Sequence, residues 1–177
     1  MSIKEAIEIR NELLDRMVDD FREVYIAAAV AENGDKDAPK IVRAILDEIG
    51  IEDGAIGEFY FNPSSDEDEI QIFNALLTMT EDIPEDNLPV LYEAMSYINY
   101  VLPVGCFAYD KDHNFLIFKL SVSMSISFDK EVVYSLMDTA VGNASSIVDT
   151  YMDVLVNVAN GKVSIDEVMG ILGGRRE

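Results

Sequence analysis

Phe115-Leu116-Ile117-Phe118-Lys119-Leu120-Ser121-Val122-Ser123-Met124-Ser125-Ile126-Ser127-Phe128 is the stretch that decides the fold. Leu116, Phe118, Leu120, Val122, Met124, Ile126 and Phe128 fall on every second position. Between them stand Ile117, Lys119, Ser121, Ser123, Ser125 and Ser127. Side chains alternate across a strand, so this spacing predicts one long strand with an apolar face and a hydroxyl-lined face. A serine face adds little to a core and carries no charge to repel a partner. It is either a wetted sheet surface or a surface that meets another molecule.

Working outward, Val104–Tyr109 reads as a second strand, joined to the first by a tight turn at Asp110–Asn114. Upstream, Asp86 or Asn87 opens a helix whose stripe is Leu88, Leu91/Tyr92, Met95, Ile98 and Leu102, and Pro103 ends it. Ile56–Phe61 and Glu69–Thr80 read as strands around the loop Asn62–Asp68. In the second of these the apolar parity switches between Ile72 and Phe73, which predicts a bulge or coverage on both faces. Downstream, Asp129 caps a helix running to Asn160, with Val133, Met137, Ala140, Ala144, Val148 and Leu155 on its stripe. Ser164 and Glu167 form a capping box for a short last helix ending at Gly173-Gly174.

At the N-terminus, Ser2 to Ala31 reads as one amphipathic helix, capped by Ser2 with Glu5 and closed by Asn33-Gly34. Asp37 and Pro39 then open a second helix burying Ile41, Val42, Ile45 and Ile49 and stopping at Gly50. The expected order is α-α-β-β-α-β-β-α-α. The class is α+β, a mainly antiparallel sheet with helices packed on one face. The division expected is an N-terminal helical segment, 1–50, and an α+β domain, 51–177, forming one compact unit.

With 34 acidic and 13 basic side chains, the 177-residue chain carries a formal charge of −21. That field repels nucleic acid phosphates and anionic lipid, so neither is an expected partner. Cys106 is the only cysteine, which excludes an internal disulfide and suits the cytoplasm. Met1–Glu5 does not read as a signal peptide, and no stretch approaches the roughly 20 apolar residues of a membrane span.

Catalytic patterns are weak. Asp110-Lys111-Asp112-His113-Asn114 starts like a calcium loop, but the sixth position is Phe115 in place of Gly and the twelfth is Ser121 in place of Glu. It reads as a hairpin turn, with the single histidine, His113, at its exposed tip. Cys106 reads as a small buried hydrophobe. Asp66–Glu69 is a solvated acidic loop, and Gly50, Gly54 and Gly57 lack phosphate-loop spacing. Metal, cofactor and catalytic residues are therefore not assigned. Tyr97 and Tyr100 lie off the apolar stripe of their helix, where tyrosines often mark contact surfaces.

Several segments resemble the YbjN family of bacterial proteins, which has the type III secretion chaperone fold. They are the helix Leu91–Asn99 ending in Ile98-Asn99, the run Pro103-Val104-Gly105-Cys106-Phe107, Asp110 before a hairpin turn and the strand Phe115–Ile126. The helix carrying Asp138-Thr139-Ala140-Val141 and the run Asn160-Gly161-Lys162-Val163-Ser164 complete the set. The resemblance spans residues 59–169 and leaves the first helix as an addition. It implies a non-enzymatic, homodimeric, chaperone-like or regulatory module that holds a client protein, and it carries no catalytic residue with it. Ser121, Ser123, Ser125, Ser127, Tyr97 and Tyr100 are the expected contacts with a second copy or a client. The competing expectation is a small-ligand sensor with a pocket between sheet and helices.

Overall fold

A computed structural model describes residues 3–24, 26–31, 40–50, 54–62 and 69–173. The order is α1 (Ile3–Glu23), β1 (Ala27–Ala31), β2 (Ile41–Leu46), β3 (Ala55–Phe61), β4 (Ile70–Glu81), a 3-10 turn at Glu85–Asn87, α2 (Leu88–Val101), β5 (Cys106–Asp110), β6 (Phe115–Ser125), α3 (Lys130–Ala159) and α4 (Ile165–Gly173). The strands form one sheet in the order β1-β2-β3-β4-β6-β5, with every neighbouring pair antiparallel. The molecule is α+β, as the alternation in β6 predicts.

Two expected helical segments are strands. Residues 27–31 leave α1 and pair with β2, and residues 41–46 pair with β3. The order is therefore α-β-β-β-β-α-β-β-α-α among the described residues. The physical reason differs between the two. Ile41, Val42 and Ile45 fit both a helical stripe and a pleat, but β-branched side chains favour the pleat. Ala27–Ala31 has strong helix propensity, and its pairing with β2 overrides it. Ser2, Asn33-Gly34, Asp37, Pro39 and Asn62–Asp68 past residue 62 lie outside the described residues.

One sheet face is covered by helices. α1 lies against β1, β2 and β3, and α3 against β4 and β6. Phe59, Phe73 and Phe118 point into that layer and are fully buried, each contributing about 1.5–3 kcal/mol by burial. They meet Leu14 and Met17 of α1 and Met137, Met152 and Leu155 of α3 within one core. α2 packs on α3 and edge strand β5, and α4 packs on α2. α3 opens as expected: Asp129 Oδ1 accepts the Glu131 N–H at 2.9 Å. In the α4 box the Ser164 N–H and hydroxyl both donate to Glu167 Oε2, at 2.8 and 2.7 Å. Those two bonds, the backbone one first, hold the Glu167 carboxyl below the usual range.

The parity switch in β4 has another cause than a bulge at residue 72. Gln71 is buried on the covered face, where Arg10 Nη1 donates to its Oε1 at 3.1 Å, and Ile70 and Ile72 face the other way. The register shift comes later, between Thr78 and Thr80. β6 also stops earlier than its alternation suggests. Ser125 and Ser127 hydroxyls meet at 2.7 Å in the turn that follows, so Phe128 is exposed and never reaches the core.

Candidate protein-binding surface

The second sheet face carries no helix among the described residues. Cross-strand register sorts its side chains into rows. One row runs Ala29, Arg43, Glu58, Leu76, Lys119, Cys106 across all six strands. The next runs Ala27, Ile45, Ile56, Thr78, Ile117, Ala108. On the other side stand Ala31, Ile41, Tyr60, Asn74 and Ser121. Ser123 pairs with Ile72 and Ser125 with Ile70.

Exposed isoleucines lie on either side of a middle row that carries Arg43, Glu58 and Lys119, and the face is nearly neutral. Ile45 is 56% exposed, Ile56 53% and Ile70 54%, values far above those of the core. Glu58 is its single carboxylate away from the hairpin end among the described residues, and Arg43 Nε donates to Glu58 Oε1 at 2.7 Å. Burial, and then the nearby Glu58 charge, raises the Tyr60 phenol above its ordinary value. In a chain with 34 acidic side chains, such a surface stands apart from the rest.

The sequence-predicted contact residues fall on two separate surfaces. Ser121 and Ser123 are exposed on the open face, where Ser121 Oγ donates to Asn74 Oδ1 at 2.8 Å. Ser125 is half-buried at the end of β6, and Ser127 sits in the turn beyond it. Tyr97 and Tyr100 belong to α2 in the helical layer, 43% and 86% exposed. The structure therefore does not bring the serines and the tyrosines together. The isoleucines of β2 and β3 and Tyr60 were missed as surface residues. The alternation Ile56-x-Glu58-x-Tyr60 held the signal.

Cys106 is exposed, not buried. Phe107 takes the core-facing position, with its ring centroid 4.9 Å from that of Phe118, which leaves Cys106 on the open face opposite Lys119. At the hairpin tip Asp110 Oδ1 accepts the N–H groups of Asp112 and His113, the former at 3.0 Å, and Asp110 Oδ2 lies 2.8 Å from His113 Nδ1. Each partner shifts the other: the His113 bond is the largest cause holding the Asp110 carboxyl down, and the Asp110 bond raises the imidazole. This is turn chemistry, with the His113 ring stacked on Phe115. Among the described residues, no group of three or more His, Cys, Asp or Glu side chains converges as metal ligands do. No helix among them is long and apolar enough to cross a membrane.

No family model matches the chain, and no curated protein matches it. Among solved structures the chain is similar to YbjN from E. coli. The match covers 78% of this chain and 89% of that one, at 15% identity and a TM-score of 0.45.

Proposed function

We propose that this protein is a non-enzymatic, chaperone-like or regulatory binding module that receives another protein on its open sheet face. The observation that carries the reading is the face itself: six strands wide, with exposed isoleucines on either side of its middle row and, among the described residues, few carboxylates on a molecule of charge −21. Exposed contiguous apolar surface rimmed by polar groups is the usual mark of a protein contact. Ser121 and Ser123 extend the face with hydroxyls that can exchange hydrogen bonds at low desolvation cost. The acidic field opposes nucleic acid and anionic lipid as partners, and a homodimer in the cytoplasm is the expected form. Tyr97 and Tyr100 offer a second, smaller contact on α2.

Affinity capture from the native lysate tests this. A near-stoichiometric protein recovered by the wild type and lost with Ser123→Glu, at unchanged melting temperature, supports the open face. Equal recovery by both removes Ser123 from the contact, and recovery of the chain alone counts against a stable client.

A second reading has its own observation. A cleft of about 590 Å³ lies between the β5–β6 hairpin and the start of α2, lined by Ile83, Glu85, Leu88, Pro89, Tyr92, Tyr109, Lys111 and Asn114. That volume falls within the range of small-ligand sites. It suits the ligand-sensor alternative, for which a metabolite that raises the melting temperature in the wild type but not in Tyr92→Ala is the test.

A further inference from the structure

The sheet has two edges, and the chain treats them differently. At β5 the outward backbone of Phe107 is closed from both sides. Asn99 Nδ2 donates to the Phe107 carbonyl at 2.9 Å, and the Phe107 N–H donates to Asn99 Oδ1 at 2.8 Å. The side-chain amide from α2 stands where a neighbouring strand would stand. At the other edge, β1 pairs with β2 alone among the described residues. Arg22 Nε reaches the Ala28 carbonyl there at 3.1 Å, so the peptide groups of Ala28 face outward. Strand alternation turns those of Val30 the same way. β1 reads Ala-Ala-Ala-Val-Ala, with no charge, proline or long side chain of its own, and Arg22 takes up one lone pair of one outward carbonyl.

We propose that β1 pairs antiparallel with β1 of a second copy, about a twofold axis at Ala29, so that the sheet runs on through both chains. Two observations favour a second copy over a foreign strand. The register closes on itself: Ala28 of one chain meets Val30 of the other on either side of Ala29, and each pair exchanges N–H and C=O bonds. A foreign strand is selected by pockets for its alternate side chains, and a run of alanines offers none. The charge of −21 on each copy opposes the pairing, and β1 is where that opposition is least, since β1 carries no charge and the nearby Arg43 is paired with Glu58. The Ala28 carbonyl has a second lone pair, so the Arg22 contact does not block the bond. The inference deepens the homodimer of the proposed function by giving it an interface, and it is independent of the client site: β6 with its serines is four strands away from β1.

Sedimentation equilibrium of the full chain at low and high sodium chloride is the test, with amide hydrogen exchange beside it. The expected result is a dimer that tightens as salt screens the repulsion, the opposite of an ion-paired interface. Ala29→Glu places like charges at the axis and weakens the dimer by at least about tenfold. Val30→Pro removes an outward N–H and no bond to β2, and gives monomer. If Val30→Pro unfolds the chain, Ala29→Glu and the exchange data decide. Ala28 and Val30 amides exchange more slowly as protein concentration rises. A monomer at every concentration and salt overturns the proposal. So does a dimer that Ala29→Glu leaves intact, or one in which the Ala28 and Val30 amides exchange at a concentration-independent rate.

Discussion

Arg10 of α1 donates through Nη1 to Gln71 of β4 at 3.1 Å, inside the core and across 61 positions of sequence. Both side chains are buried, 7% and 0% exposed. A guanidinium is costly to desolvate, so its acceptors matter more than an ordinary hydrogen bond does. Gln71→Leu is expected to lower stability by about 1–3 kcal/mol, read from chemical denaturation. A change below ~0.5 kcal/mol would show that the other contacts of Arg10 suffice.

The Asn99 clamp on Phe107 predicts a second effect. Asn99→Ala removes two bonds to one peptide unit, each contributing about 0.5–1.5 kcal/mol. Unfolding free energy should fall by about 1–3 kcal/mol, and the Phe107 amide should lose hydrogen-exchange protection before those of β6. Unchanged protection at Phe107 would sink the role given to Asn99.

Gly105 has φ +71°, and a Cβ there would stand 2.3 Å from Phe118 Cζ. The chain leaving α2 crosses directly over a fully buried ring to begin β5. Gly105→Ala meets both a left-handed backbone and a collision with a ring that has no room to retreat. The expected loss is about 2–4 kcal/mol, seen as a lower melting temperature.

His113 provides a pH probe, since it is the only histidine and gives a single pair of imidazole resonances. Its raised value means its contribution to the turn is fully present below the unfolded value of 6.5 and lost as pH rises through the folded one. Asp110 has the opposite sign: its contribution is present above 3.8 and lost as pH falls through the depressed folded value. Both groups are ionised and paired between those two limits. Proton NMR should place the His113 titration above 6.5, and Asp110→Asn should bring it back. A His113 midpoint unmoved by Asp110→Asn refutes the pairing.

How far the sequence could be read depended on whether its local signals agreed with the global packing. β6 was legible because Leu116 through Met124 alternate without interruption. α3 was legible because the Asp129 cap and a long stripe point the same way. β1 was not, because alanine prefers a helix and only the β2 neighbour, 10 to 18 positions on, makes it a strand. β2 was not, because six residues with apolar positions at Ile41, Val42, Ile45 and Leu46 satisfy both periods. The error hid two of the six strands of the open face: without β2 there is no row joining Ile45 to Ile56 and Ile117. Cys106 was misplaced because Phe107 takes the core-facing side of β5 and so turns its neighbour outward. The serines were found as strand residues, but their separation from Tyr97 and Tyr100 depends on which layer each element joins, and that is a tertiary fact.

The closed β5 edge has a consequence for growth. Identical sheets with two free edges polymerise into ribbons, because each added molecule presents a fresh template at its far side. Here Asn99 holds the outward peptide unit of Phe107 within each molecule, so a pair joined at β1 as proposed would present a poorer template at its far edges for a third copy.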